Sequence, residues 1–333
     1  MASANDREDL KGLQREANYD RSHTSDSMAA RLANRIAGKS VVITGVSPRG
    51  LGADAARAIY KHNPKLLILA SRTKANIQAV IDSIGSPGAG NVEGILLDLS
   101  SLDSVRAAAG EVLKLTPVVD VLINNAAVMM VPEYTTTKNG FEMHFGINHL
   151  GHFLFTNLLM PALLKSVDGA RVVNVSAAAH RMTLVNFEDP NFANGTKYEP
   201  LLGYAQSKCA NLLFSHALAN RYGSQGLLSF GVDPGAVPDT QISRLISKEE
   251  LIRQGWFNED GTPKQATILP KTIQQASSSY IMAAFDPAIL DHNGACITSC
   301  IVDDSVAPYV LDRGNAEKLW VLSEKLIGQE FGS

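Results

Sequence analysis

Between residues 40 and 302 the chain repeatedly exchanges short β-branched runs for longer helical stretches, and this exchange constrains the fold more than any other feature. The runs are "SVVITG", "LLILAS", "VEGILLD", "VVDVLINN", "RVVNVS", the segment 227–232, and "CITSCIV". They lack the polar alternation of a strand with one wet face, so they read as strands buried on both sides of a parallel sheet. The stretches between them have helical character. "KANIQAVIDSI" sets Ile77, Val80, Ile81 and Ile84 on one helical face. "SSLDSVRAAAGEVLKL" opens with Ser100 and Asp103 at capping-box spacing. Further helices are expected over 141–165 and 201–222, and from a Pro-led start near Pro270. The pattern predicts one doubly wound α/β domain over residues 38–325, with a mainly parallel sheet of about seven strands. Residues 1–37 are polar and of mixed charge, and read as an N-terminal extension that packs on the surface or is partly disordered. Residues 326–333 read as a C-terminal tail. Residues 236–269 show no clear periodicity, as expected of a substrate loop or lid.

Composition removes several function classes. A formal charge of −3 supplies no basic footprint for nucleic acid. The cysteines Cys209, Cys296 and Cys300 are too few for a disulfide framework and fit a reducing compartment. No histidine or cysteine cluster completes a zinc set around Cys296 and Cys300, so no metal is expected. The most apolar stretch, "LGHFLFTNLLMPALL", is too short to span a bilayer and contains His152, Asn157 and Pro161. The opening "MASANDREDLKGLQREANYD" has no apolar secretory core, and a cytoplasmic location is expected.

The first strand runs into "TGVSPRGLGADAARA". Gly45, Gly50 and Gly52, with Ser47 and Leu51 between them, suit a tight turn that brings backbone close to a pyrophosphate at a helix N-terminus. An acid about 20 residues further on would bind an adenosine ribose hydroxyl. The chain instead has Ser71, Arg72, Thr73 and Lys74 there, and Arg49 lies within the turn. Guanidinium groups pair bidentately with phosphate, so the 2′-phosphate of NADP(H) is the expected ligand of Arg49 and Arg72.

Two Y-x-x-x-K spacings put a phenol beside an ammonium if they are helical. A nearby cation favours the phenolate, which makes tyrosine a usable general acid–base. Tyr134 and Lys138 lie in "YTTTKNG", whose threonines and turn residues read as a loop. Tyr204 and Lys208 open "YAQSKCANLLFSHALANRY", a good helix with Leu212, Leu213 and Leu218 on or near its apolar face. Tyr204 and Lys208 are the better pair.

Together these motifs resemble the short-chain dehydrogenase/reductase superfamily, whose fold is Rossmann-type, over residues 38–325. "GFEMHFGINHLGHFLFTNLL" is similar to the retinol-dehydrogenase and protochlorophyllide-reductase branch, and the C-terminal "NAEKLWVLSEKL" resembles fungal members of it. That likeness carries an expectation of a role in secondary metabolism. The resemblance implies cofactor contacts at Asp98 and Leu99 in "LDLS", at Asn125 and Ala126 in "NNAA", and at Pro234, Gly235 and Val237 in "DPGAVPDT". It departs from the family at Ala127, which stands where relatives have glycine, and at Asp233, which stands where they often have histidine. It implies that Tyr204 gives a proton to a carbonyl oxygen as NADPH delivers hydride, or runs the reverse. Lys208 would hold the nicotinamide ribose and depress the tyrosine pKa, and Asn148 would hold a water that relays protons. The expected substrate is a small-molecule ketone, aldehyde or alcohol. Trp256 and Phe257 in the long loop point to a large apolar or aromatic one. A homo-oligomer is left open.

Relatives in this branch read N-V-S-S-x-x-H, with the second serine catalytic. Here residues 174–180 read "NVSAAAH", so that position falls on Ala177 and Ser176 takes the structural one. Successive side chains of a strand point to opposite sides, so the two residues should not be interchangeable. Ala177 leaves three readings: a weakened natural enzyme, a variant engineered to trap substrate, or a non-redox protein on this scaffold that still binds NADP(H), such as a cyclase, isomerase or binding module.

Overall fold

The computed structural model describes residues 20, 22–84, 91–243, 246, 248–253, 255, 258–260, 262 and 270–332. Its strands are β1 (Ser40–Thr44), β2 (Leu66–Ser71), β3 (Asn91–Leu96), β4 (Val121–Asn124), β5 (Arg171–Val175), β6 (Leu228–Asp233), β7 (Cys296–Thr298) and β8 (Ile301–Val302). Its helices are α1 (Ser25–Arg31), α2 (Ala33–Ile36), α3 (Leu51–Tyr60), α4 (Lys74–Ile84), α5 (Leu102–Leu115), α6 (Gly151–Leu163), α7 (Pro200–Tyr222), α8 (Lys248–Arg253), α9 (Ile273–Phe285) and α10 (Arg313–Ile327). The sheet order is β3-β2-β1-β4-β5-β6-β7-β8. Pairing is parallel from β3 through β7. The chain reverses direction across the sheet between β1 and β4, the switch point where doubly wound folds open a crevice for ligands.

The strand alternation feeds two cores. Val42, Ile68, Leu122 and Val172 face α5, α6, α7 and α10, a layer that also buries Phe153, Phe214 and Trp320. Val41, Ile43, Leu67, Leu69, Ile123 and Val173 face α1, α3, α4 and α9. This two-sided burial is why the strands read as unbroken apolar runs.

Three local expectations are corrected, and the expected mainly parallel sheet counts eight strands among the described residues, because "CITSCIV" folds back as an antiparallel hairpin pairing Thr298 with Ile301. Ser299 and Cys300, at φ 51° and 59°, make its two-residue turn, both in the left-handed region as a type I′ turn requires. The cap of α5 is Ser101, whose side chain accepts from the Ser104 N–H, while Ser100 is held by Asp98. The helix expected over 141–165 is interrupted by a π-helix at Phe145–Leu150 before α6 begins. Residues 25–36, read as surface extension, carry Met28, Ala29, Leu32 and Ile36 into the second core. Ser25 ties them there, its hydroxyl donating to Asp54 at 2.6 Å. Among the described residues no helix is long and apolar enough to cross a membrane.

His149 and His152 are fully buried around the π-helix, and burial lowers them from 6.5 to about 3 and about 4. Between those values and 6.5 the unfolded chain binds protons that the native chain does not. Stability is therefore complete above pH 6.5 and falls as pH drops toward 4. Each histidine removes about 1.4 kcal/mol per pH unit over its window. Urea midpoints at pH 7 and pH 5 test this, and a midpoint that does not fall at pH 5 contradicts it.

Candidate active site

A cavity of about 870 Å³ opens along the carboxyl ends of β1, β2, β4, β5 and β6. Gly45, Ser47, Gly50 and Leu51 form one wall, between β1 and the start of α3. Gly45 has φ 76°, and a Cβ there would lie 2.5 Å from the Ala126 Cα, so only glycine fits the approach of these two strand ends. Gly52 does not line the cavity. It lies behind the turn, where a Cβ would fall 2.6 Å from the Asn125 amide nitrogen. Asn125 Nδ2 donates to the carbonyls of Thr44 and Gly45 at 2.8 and 3.1 Å and so clamps the turn. The Asn125 and Ala126 backbone N–H groups both donate to Thr44 Oγ1. These bonds satisfy strand-end groups that have no ladder partner.

Ser71, Arg72 and Leu99 line the same cavity, as do Asn125, Ala126, Pro234, Gly235 and Val237. Arg49 is exposed and outside it. Asp98 is also outside. One of its oxygens accepts from Ser100, and the other pairs with Lys138 Nζ at 2.9 Å. Lys138 therefore serves as the counter-ion of Asp98. Tyr134 packs edge-on against Tyr198, with ring centres 5.7 Å apart. The first Y-x-x-x-K spacing thus lies in the loop region, away from the cavity.

Tyr204 and Lys208 lie on the first turns of α7, are buried, and both line the cavity. Lys208 Nζ sits 5.6 Å from the centre of the Tyr204 ring and donates to the Val175 carbonyl at 2.9 Å. Burial pushes Lys208 down to about 7, opposed by the Asp233 carboxylate. Burial, reinforced by Asp233, pushes the Tyr204 phenol well up. The resemblance leads one to expect the ammonium to depress the phenol. Desolvation is the larger influence on the phenol, and it favours the neutral form.

Asn148 lies in the π-helix, a form of helix common at functional sites. Its side chain is used within the protein. Oδ1 accepts from the Val128 N–H at 2.9 Å, and Nδ2 donates to the Val128 carbonyl and to Ser207 Oγ. It does not line the cavity but fixes Val128, which does.

Ser176 and Ala177 follow the end of β5 and differ in their surroundings. Ser176 borders the cavity, but it is 1% exposed and its hydroxyl donates to the Lys208 carbonyl at 2.7 Å. Ala177 is half-buried and lines the cavity, with its carbonyl accepting from His180 Nδ1. Sequence reasoning missed Asn76, Met129, Ile147, Met182, Ile242 and Tyr280 as lining residues. Asn76 is four residues beyond Arg72, and Met129 and Ile147 adjoin recognised motifs, so proximity was the available signal for these three. Trp256 and Phe257 lie outside the described residues.

The family model for short chain dehydrogenases matches residues 39–189. The chain is 36% identical to retinol dehydrogenase 14 of Mus musculus over 302 residues, covering 87% of this chain and 86% of that protein. It is 33% identical to retinol dehydrogenase 13 of Homo sapiens over 299 residues, covering 90% and 87%.

The chain belongs to the short-chain dehydrogenase family.

This short-chain dehydrogenase is also 35% identical to the oxidoreductase fscI of Fusarium equiseti over 244 residues, 65% of this chain and 94% of that one. A solved structure from Mycobacterium paratuberculosis superposes with a TM-score of 0.70 at 33% identity, covering 92% of this chain and 98% of the other. A short-chain type dehydrogenase/reductase from Mycobacterium marinum, at 18% identity and a TM-score of 0.63, shares the fold.

The Ser176 hydroxyl joins the end of β5 to α7 beneath the Tyr204–Lys208 pair. Ser176→Ala removes one buried hydrogen bond and is expected to cost about 1 kcal/mol. A lowered denaturant midpoint with an unchanged m-value is the expected reading.

Proposed function

We propose that this short-chain dehydrogenase interconverts a ketone or aldehyde and an alcohol using NADP(H), on a sizeable apolar or aromatic substrate. One observation carries the reading: a buried phenol and a buried ammonium share a single cavity with the glycine turn, and Arg72 stands at its rim. The bare backbone at Gly45 and Gly50 and the N-terminus of α3 suit a pyrophosphate. Arg72, with Ser71 and Asn76 beside it, suits a 2′-phosphate. Arg49, exposed and outside the cavity, is the weaker of the two arginine candidates.

When bound, NADPH supplies the hydride. Tyr204, held protonated by burial, gives its proton to the carbonyl oxygen as the hydride arrives at carbon, and the product is the alcohol. Lys208, when it carries its proton, places positive charge beside the phenolate that forms. Asn148 fixes the Val128 backbone along the wall. Met129, Ile147, Met182 and Ile242 supply apolar lining, which supports an apolar substrate. At position 177 a hydroxyl would donate to the developing oxyanion, and alanine has none to give. That residue favours the second reading, a non-redox cyclase, isomerase or binding module that retains NADP(H).

Arg72→Ala is expected to weaken NADPH at least tenfold and leave NADH nearly unchanged, about 1.4 kcal/mol in binding energy. Fluorescence titration of both cofactors is the measurement. Equal affinity of the unaltered chain for NADPH and NADH rules out the 2′-phosphate contact.

Tyr204→Phe is expected to remove most turnover at nearly unchanged NADPH affinity, and Tyr134→Phe to change little. Ala177→Ser is expected to raise single-turnover hydride transfer at least tenfold, since an oxyanion donor is worth about 10²–10³ in rate. Ser176→Ala should alter that rate far less. If Ser176→Ala abolishes the reaction and Ala177→Ser leaves it unchanged, Ser176 is the catalyst. If neither the unaltered chain nor Ala177→Ser oxidises NADPH with any of a panel of carbonyls, the non-redox reading replaces the first.

A further inference from the structure

Helix α9 follows the loop 236–269 and lies on the face of the sheet opposite α7. Its N-terminus is fixed by a capping box between Thr272 and Gln275. Two of its side chains reach toward the glycine turn. Ser277 Oγ donates to Asp54 Oδ2 at 2.5 Å, on the helix that the turn leads into. One helical turn further on, Tyr280 is fully buried, borders the cavity, and donates its hydroxyl to Asn125 Oδ1 at 3.1 Å.

Asn125 has one usable orientation. Its Nδ2 hydrogens go to the carbonyls of Thr44 and Gly45, so Oδ1 must face away from them and needs a donor. A flipped amide would set oxygen against two carbonyl oxygens. The Tyr280 hydroxyl is that donor, and burial keeps it protonated. The clamp on the glycine turn is thus selected from α9, across 155 residues of sequence.

We infer that Tyr280 is a positioning residue for the dinucleotide, acting through Asn125 to hold the Gly45 turn in its binding shape. This rests on the proposed NADP(H) binding and adds a residue that would not itself need to touch the cofactor. Because the turn serves the part common to both dinucleotides, loss of the hydroxyl weakens NADPH and NADH alike, whereas loss of Arg72 weakens NADPH alone.

The test combines Tyr280→Phe, Asn125→Ala and the double variant, with NADPH and NADH dissociation constants from fluorescence titration and ligand-free thermal midpoints. Tyr280→Phe is expected to raise both dissociation constants roughly three- to tenfold, with the ligand-free midpoint lowered only as far as the loss of one buried hydrogen bond requires. Asn125→Ala should weaken binding more, and the double variant should bind no more weakly than Asn125→Ala, because both act through one contact. Hydrogen exchange over residues 45–52 in Tyr280→Phe gives a reading even if Asn125→Ala does not fold, and faster exchange there is expected. Unchanged dissociation constants, additive effects in the double variant, or unchanged exchange at 45–52 overturn the inference. An unaltered chain that binds neither dinucleotide overturns both this inference and the proposed function. One that binds both equally removes only the Arg72 contact.

Discussion

Parallel strands that end inside a molecule leave their last backbone groups without ladder partners, and the cavity of this short-chain dehydrogenase is built on how that deficit is met. At the ends of β1 and β4 the partners are Thr44 and Asn125. Thr44 Oγ1 accepts from two backbone N–H groups and contacts His152 Nε2 at 2.8 Å, while Asn125 Nδ2 serves two carbonyls. His152 Nδ1 in turn meets the Asn148 carbonyl at 3.0 Å, inside the π-helix. Thr44 and His152 thus join the glycine turn to the π-helix that carries Asn148. Buried polar groups cost free energy unless fully paired, so such a network permits few alternative arrangements. The cavity wall inherits that rigidity.

The same low-polarity interior sets the chemistry of the Tyr204–Lys208 pair. The two groups are close enough to interact, yet each responds first to burial. The ammonium is brought to about 7 and the phenol is raised. Asp233, whose Oδ1 accepts from the Gly235 N–H at 2.9 Å, pushes both in the direction of holding protons. A phenol kept protonated suits the donation of a proton to a carbonyl oxygen. The same carboxylate shares the cavity with both groups.

Most of the architecture was legible because two-sided burial writes itself as unbroken apolar runs, and the strand-to-helix glycine turn falls after the first of them. The failures have local causes. Met28, Leu32 and Ile36 carry a helical apolar spacing, but the charged residues around them gave the segment the composition of a surface extension. Ser299 and Cys300 are not the Asn-Gly or Asp-Gly pair that usually marks a type I′ hairpin, so the last run read as one strand. Ser100 and Ser101 are equally able to cap α5, and the side chain of Asp98 takes the first of them. Tyr280 carried no local signal. Its relation to Asn125 exists only once the sheet brings α9 beneath the glycine turn.

The end of β5 shows how much a period of two decides. Ser176 and Ala177 are neighbours in sequence, but the pleat gives their side chains to different surroundings. Ser176 turns its hydroxyl to the backbone of α7, where it fixes the helix that presents Tyr204 and Lys208. Ala177 turns a methyl group to the cavity, and Ala178 and Ala179 extend that lining. Ser176 therefore supports the scaffold, and the residue beside it presents no hydrogen-bonding side chain. The cavity thus sets a buried phenol and a buried lysine opposite a wall of alanines. Under the proposed reaction, a carbonyl held beside Tyr204 would meet one fewer group to stabilise the charge developing on its oxygen.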